Sequence, residues 1–332
     1  MADVHTVGDL RQMQSLPLEA KILMTKKRLQ QWYDYWDGNI YISFSGGKDS
    51  TVLLDIARRV YPDIKAVYVD TGLEYPEVRD HVKTIENVEW LHPIKYDKKQ
   101  RKYVRTNFRE VILQHGYPII SKEVSHCVSC ARNGLDKCQG AGRWALNKLN
   151  GEAVDKHGNK SPFNYPKWKF LLDAPFKVSR RCCDVMKKNP TKDFEKRTGL
   201  HPVLGTLADE SALRLQQWLK SGCNAFSNGR PVSQPLSFWR EQDILEYLLR
   251  YEVNFAEVYG DIVYDGEKYY TTGVNRTGCM FCAYGITQDG CPNRFQRMKE
   301  THPKQYDYCL KPVEQGGLGM AEVLDYIGVD YK

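Results

Sequence analysis

Between Ser43 and Leu54 the chain reads SFSGGKDSTVLL, which crowds a glycine pair, a lysine, an aspartate and several hydroxyl side chains into a short stretch. A strand that feeds such a turn into a helix leaves backbone N–H groups unpaired at the positive end of the helix, where an anion is stabilised. Gly46 and Gly47 let the backbone approach a phosphate, Lys48 adds charge, and Ser43, Ser45, Ser50 and Thr51 add hydroxyls. Asp49 is the residue type that would help hold Mg²⁺. The pattern is not the Gly-x4-Gly-Lys-Ser/Thr loop of the common nucleotide triphosphatases, because Lys48 follows two adjacent glycines. A tight turn alone explains the glycines but not the rest.

The cysteines are the second set. There are ten, enough in a chain without a readable signal peptide to argue for metal or redox chemistry before disulfides. Cys127, Cys130 and Cys138 lie in HCVSCARNGLDKC, Cys182 and Cys183 are adjacent, and Cys279, Cys282 and Cys291 lie in GCMFCAYGITQDGC. The first group has no second tight pair, so a metal there would need His126 or a distant ligand. Cys223 and Cys309 stand alone and read as buried small hydrophobes.

The elements that must position these residues alternate. Residues 17 to 36 read as an amphipathic helix. NIYISFS and IKAVYVDTG read as buried strands, STVLLDIARRV as the helix between them, VEWLHPIKY as a third strand and Lys98 to His115 as a basic helix. A helix around Arg180 to Lys188, a fourth strand HPVLGT and helices from Asp209 to Trp218 and Glu241 to Tyr251 follow. This rhythm predicts an α/β fold with a doubly wound, mostly parallel sheet, Rossmann-like, whose ligands bind at the carboxyl ends of the strands. Three divisions are expected: an N-terminal helical segment 1–38, a nucleotide-binding domain 39–251 interrupted by a Cys- and Lys-rich insertion or lid at about 122–175, and a small metal-binding module 252–332.

Composition is that of a globular chain, and no apolar run approaches the roughly 18 residues of a membrane span, so a cytoplasmic location is expected. The net charge of +7 is uneven. YDKKQRKYVRTNFR, from Tyr96 to Arg109, and the segment Lys167 to Arg197 are both strongly basic. Each is either a solvated face or a surface for a polyanion.

The SGGKDS loop resembles that of the PP-loop superfamily, the N-type ATP pyrophosphatases. VDTGLEYPEV, RRCCDVMKKNP, GTLADESALR and PLSFWREQDILEYL narrow the resemblance to the phosphoadenosine phosphosulfate (PAPS) reductase family, over about Asn39 to Tyr251. The resemblance implies a nucleotide site built from Ser43, Ser45, Gly46, Gly47, Lys48, Asp49, Ser50, Asp70, Thr71, Gly72, Gly205 and Arg214, with Lys48 and Asp49 catalytic. Leu207 stands where the family loop has its first arginine. Cys182, Cys183, Cys279 and Cys282 resemble the ligands of a [4Fe-4S] cluster in adenylyl-sulfate reductases, with zinc the competing metal. Adjacent residues on a helix project roughly 100° apart, so both Cys182 and Cys183 can ligate only at a helix end or a bend, and Cys291 is the substitute for Cys182.

Family members include sulfonucleotide reductases, a sulfurylase subunit and enzymes that install sulfur in DNA or tRNA. A reductase of this kind is expected to end in a mobile Glu-Cys-Gly-x-His segment, whereas no cysteine follows Cys309 here. The leading expectation is therefore an ATP pyrophosphatase-type sulfurtransferase that uses ATP and Mg²⁺ with a sulfur donor such as a cysteine desulfurase. The acceptor would be DNA or tRNA. The alternatives are a PAPS or adenylyl-sulfate reductase served by thioredoxin, with Cys309 as its thiol, and a non-catalytic iron–sulfur protein that binds nucleic acid or a partner. A homo-oligomer is compatible with all three.

Overall fold

The computed structural model of the protein describes residues 5–134, 139–227 and 229–332. In chain order the strands are β1 Ile40–Ser43, β2 Ala66–Val69, β3 Val88–Leu91, β4 Ile94–Asp97, β5 Lys102–Arg105, β6 Ile119–Ile120, β7 His201–Leu204, β8 Asn224–Ala225, β9 Val232–Ser233, β10 Ile262–Tyr264, β11 Tyr269–Thr271 and β12 Ala283–Tyr284. The chain divides into two units. One comprises Met1–Asp70, Glu74–His92 and Pro190–Gly278; the other comprises Thr71–Leu73, Pro93–Asn189 and Cys279–Lys332.

The first unit is built on a sheet of order β3-β2-β1-β7-β9-β8. Its pairs are parallel except β8 with β9, so the expected mostly parallel α/β sheet is present. Alternation along the strands explains how both faces are covered. Ile40, Ile42, Ala66 and Tyr68 join a core with Leu29 and Trp32 of helix Leu18–Tyr35, Val52, Leu53 and Ile56 of helix Lys48–Arg58, and Ile244 and Leu248 of helix Glu241–Arg250. The intervening Tyr41 and Val67 pack on the opposite face against Phe194 of helix Asn189–Thr198. Lys21 is buried in this unit because Asp243 receives its ammonium at 2.7 Å.

The second unit holds helices Phe108–His115, Lys122–Gly134 and Gln139–Asn150, the antiparallel hairpin β4–β5, and the parallel pair β6–β12. Several expectations are corrected. VEWLHPIKY is two strands, because Pro93 lacks the N–H that a continuing ladder needs. Lys98 to His115 is not one basic helix. Asp97 accepts from the backbones of Lys99 and Gln100, Arg101 turns left-handed at φ 51°, and the chain returns as β5 before Asn107 caps a shorter helix. The segment 122–175 is largely helical: Val124, Cys127, Val128 and Ala131 recur at helical spacing and are buried, so its cysteine helps form the apolar stripe. The helix expected from Asp209 starts only at Ala212, where the Ser211 hydroxyl accepts from Arg214 N–H. No helix among the described residues is long and apolar enough to cross a membrane.

Candidate functional site

The order of strands reverses at β1: β2 and β3 follow on one side, β7 and β9 on the other. A crevice belongs at the carboxyl ends of the strands that flank such a reversal. A cavity of about 390 Å³ opens there, lined by residues of the Ser43 to Ser50 stretch after β1, by Leu204, Gly205 and Thr206 after β7, and by Glu210, Arg214, Tyr259, Arg276 and Thr277.

The loop is pre-shaped by its own hydrogen bonds. Ser50 Oγ accepts from Ser45 N–H at 3.2 Å and donates to the Gly47 carbonyl at 2.9 Å, and Ser45 Oγ lies 3.0 Å from Ser50 Oγ. Gly46 does not line the cavity. It turns at φ +73°, and a Cβ there would stand 2.7 Å from the methyls of Val78 and Val82, so glycine is required by both conformation and space. Gly205 is required by close approach, since a Cβ would meet the Asp49 carbonyl at 3.0 Å. Helix Lys48–Arg58 begins after Gly47, which offers no side-chain cap. The Tyr259 hydroxyl takes the first of its N–H groups, that of Lys48, while Asp49 and Ser50, which follow, line the cavity.

The charges are arranged unequally. Lys48 is 5% exposed, and its Nζ is held 3.0 Å from Glu241 and 2.8 Å from the Asn275 carbonyl, with Asp49 at 4.0 Å. Its backbone N–H donates to the Tyr259 hydroxyl, which is also 2.7 Å from Thr277 Oγ1. Asp49 Oδ1 is buried without a hydrogen-bond partner, and burial raises the Asp49 carboxyl above the ordinary aspartate value, partly offset by Lys48. Glu210 pairs with Arg214 and stands 3.9 Å from Arg276. Leu207 is buried and contributes no charge, whereas Arg276 brings a second guanidinium to the cavity.

Of the residues expected from sequence, Ser43, Ser45, Gly47, Lys48, Asp49, Ser50, Gly205 and Arg214 line this cavity together. Asp70 does not. At the end of β2 its buried carboxylate receives Arg79 at 3.0 Å, with His92 at 3.7 Å. Thr71 and Gly72 belong to the second unit, where Thr71 Oγ1 accepts from the backbone of Leu73. Tyr259, Arg276 and Thr277 join the cavity without having been expected there. The last two sit just before Cys279 in NRTGCMFC, next to a stretch that the cysteines already mark.

In the second unit the backbone draws four cysteines toward one end. Ile119 and Ile120 pair with Ala283 and Tyr284, directly after Cys282; Tyr117 bridges Val178, shortly before Cys182. Cys182 and Cys183 lie in the first turn of a helix that opens into a π turn over Asp184–Lys188, which answers the divergence of neighbouring side chains by both a helix end and a widened turn. Their sulfurs are 3.9 Å apart. The hydrogen bond from Cys182 pulls the Cys183 thiol down to about 6, helped by Lys122, Lys187 and Lys188. The Cys182 thiol is pushed up by that same bond and by burial, and it feels the charge of Cys282 and Cys279. Burial and Cys279 push Cys282 up to about 12. Cys291 is exposed. The four thiols therefore share an electrostatic neighbourhood, yet among the described residues no three His, Cys, Asp or Glu side chains form a group that could hold a metal ion.

The remaining cysteines are placed by packing. Cys127 is buried, with its thiol pushed up to about 11 by burial, and Cys130 Sγ is 3.4 Å from His126 Nδ1. Cys138 lies outside the described residues. Cys223 is buried and accepts from Ser237. Cys309 is 0% exposed within helix Pro303–Leu310, and burial raises its thiol, which is unlike an attacking nucleophile.

Comparison with known proteins gives a match of residues 39–126 to the phosphoadenosine phosphosulfate reductase domain. An uncharacterized protein of Methanocaldococcus jannaschii is 24% identical over 310 residues, covering 92% of this chain and 55% of that protein. A second uncharacterized protein of the same organism is 36% identical over 80 residues, covering 24% of this chain and 15% of that one. The chain thus spans about half the length of the first relative and less of the second. The crystal structure of a phosphoadenylyl-sulfate reductase from Candida auris, a phosphate complex, aligns with a TM-score of 0.39 at 14% identity, covering 81% of this chain and 100% of that one. The segment 39–126, which carries the SGGKDS loop at the strand reversal, is thus similar to the phosphoadenosine phosphosulfate reductase domain.

Proposed function

We propose that the protein is an adenine nucleotide-dependent sulfurtransferase, in which ATP occupies the cavity at the ends of β1 and β7 and adenylylates an acceptor before sulfur is transferred. The observation that carries this reading is the combination at the start of helix Lys48–Arg58: a first turn to which Gly47 offers no side-chain cap, with only the Lys48 N–H taken by Tyr259, and an Asp49 carboxylate oxygen buried without a hydrogen-bond partner. A phosphate satisfies the first and a cation the second. Asp49 would hold Mg²⁺, which would supply charge neutralisation on the phosphates.

An acceptor oxygen attacks the α-phosphorus of ATP and the bond to the β-phosphate oxygen breaks. The loop N–H groups, Ser45 and Ser50 stabilise the departing pyrophosphate. A thiol cleaves the donor's persulfide S–S bond and ends as a disulfide, and the hydrosulfide so released bonds to the acceptor while the acceptor–oxygen bond breaks and AMP leaves with that oxygen. Arg214 and Arg276, which share Glu210, are the cations available to the nucleotide's remaining charge. The basic segments favour a nucleic-acid acceptor, DNA or tRNA. The thiols of Cys182, Cys183, Cys279 and Cys282 would hold a [4Fe-4S] cluster, or zinc in the same donors; the chemistry of the donor set fits, and a cluster would supply electron transfer or a fixed thiolate scaffold.

Reduction of a sulfonucleotide is the second reading, and the family match favours it. It requires an accessible thiol, and Cys309 is too deeply buried to serve. The deciding experiment gives ATP, PAPS and adenylyl sulfate separately to anaerobically reconstituted protein. Pyrophosphate and AMP from ATP, dependent on an acceptor, support the sulfurtransferase. Sulfite from PAPS or adenylyl sulfate without ATP consumption contradicts it.

A further inference from the structure

The hairpin β4–β5 is unlike the pair β6–β12 of the same unit, because both of its strands are exposed almost throughout. A lone two-stranded hairpin is marginally stable, so the residues it presents to solvent call for an explanation. Tyr96 and Tyr103 stand directly opposite each other in the register, with ring centroids 5.3 Å apart. A cross-strand aromatic pair steadies a hairpin, which accounts for the pairing. It does not account for the exposure: Tyr96 is 52% and Tyr103 68% exposed, and Ile94 on the same face is 54% exposed. At the tip, Lys98, Lys99, Arg101 and Lys102 are all exposed within five residues, while the single carboxylate, Asp97, is turned back to accept from the turn's own N–H groups. Lys95, on the other face, is paired with Glu110.

We propose that the hairpin Ile94–Arg105 is a docking platform for single-stranded polynucleotide, its two tyrosines stacking on bases and its tip cations following the phosphates. The inference rests on the nucleic-acid acceptor proposed above and names the surface and the strandedness that go with it. Single strands expose base faces to an aromatic platform, whereas a duplex hides them and offers only phosphates to the lysines. Charge alone would suit any polyanion. The ring pair beside it selects the unpaired strand.

The test measures anisotropy of labelled oligo-dT and oligo-U with the full chain and no ATP, alongside a duplex of the same length and vesicles rich in anionic lipid. Tight binding of either single strand, with the duplex at least about tenfold weaker, is expected. Tyr103→Leu should weaken single-strand binding about tenfold with the salt slope unchanged, and Tyr103→Phe should restore it. Replacing Lys98, Lys99 and Lys102 by Gln should lower the salt slope by about 0.7 for each phosphate left without its lysine. Equal binding of duplex and single strand, binding to vesicles alone, wild-type affinity in Tyr103→Leu, or no binding of any probe would overturn the proposal. ATP binding to the same variants reports on the loop and on folding. Intact ATP binding without polynucleotide binding defeats this inference alone, whereas its loss in the wild type defeats the functional reading.

Discussion

The SGGKDS loop and the cysteine group are both candidate sites, and they are built in opposite ways. The loop is one contiguous stretch whose residues shape each other through hydrogen bonds between near neighbours, such as Ser45 to Ser50 and Ser50 to Gly47. The cysteine group is assembled from two segments far apart in the chain, brought near each other by short pairings on either side of Tyr117–Ile120. A site of the first kind is complete before a ligand arrives. One of the second kind depends on the chain around it and on what its thiols bind.

Asp49→Asn should do the most damage, and it should do so while the loop keeps its shape. Acceptor-dependent pyrophosphate release should fall at least about a hundredfold, as it does when a charge is removed from a polyphosphate centre. The same variant should raise the melting temperature of the ligand-free protein. Because burial holds the Asp49 carboxyl above its ordinary 3.8, its favourable contribution is present at low pH and is lost as pH rises above that value; Asn removes this slope. A ligand-free variant less stable than wild type at neutral pH would mean that the Asp49 charge is satisfied within the protein.

Next in size is the cysteine group. Cys282→Ser or Cys183→Ser should abolish iron uptake and its visible absorbance on anaerobic reconstitution, whereas Cys291→Ser should leave both intact. Stoichiometric zinc without iron would replace the cluster with a structural metal, and dependence on Cys291 would restore it as a ligand. Lys48→Ala separates the loop's packing from its chemistry. The buried ammonium of Lys48, between Glu241 and the Asn275 carbonyl, makes this lysine part of the packing as well as of the loop, so Lys48→Ala should cost about 1–2 kcal/mol in denaturant unfolding as well as activity. Smaller still, Arg276→Ala should weaken nucleotide binding about tenfold by calorimetry without changing stability, because Arg276 is 67% exposed. Cys309→Ala should leave turnover within about twofold, its thiol being buried in the second unit rather than presented to a ligand.

The parallel sheet and the strand-to-helix loop can be read from the sequence because each is signalled by its neighbours, apolar strands, glycines and an amphipathic helix, whereas Arg214 is expected only from the resemblance of GTLADESALR to a family loop. Tyr259, Arg276 and Thr277 cannot, since they reach the cavity only after the chain has left the sheet and returned, and no local pattern marks a tyrosine hydroxyl that will accept from Lys48 N–H. The basic run after Tyr96 misleads because charge has no period of its own. Asp97 and the left-handed Arg101 turn it into a hairpin where a helix is expected. The helices across 122–175 are hidden because cysteine and alanine, not leucine or valine alone, fill their apolar stripe.

If the loop activates an acceptor by adenylylation, the acceptor must carry AMP before it carries sulfur. ATP labelled at the α-phosphate, followed in rapid-quench experiments with a polynucleotide acceptor, reports on that step directly. Transient label on the acceptor, then stoichiometric AMP and pyrophosphate, is expected, with all three absent in Asp49→Asn. Label that never joins an acceptor, in a protein that releases sulfite from PAPS or adenylyl sulfate, would make the protein a sulfonucleotide reductase instead.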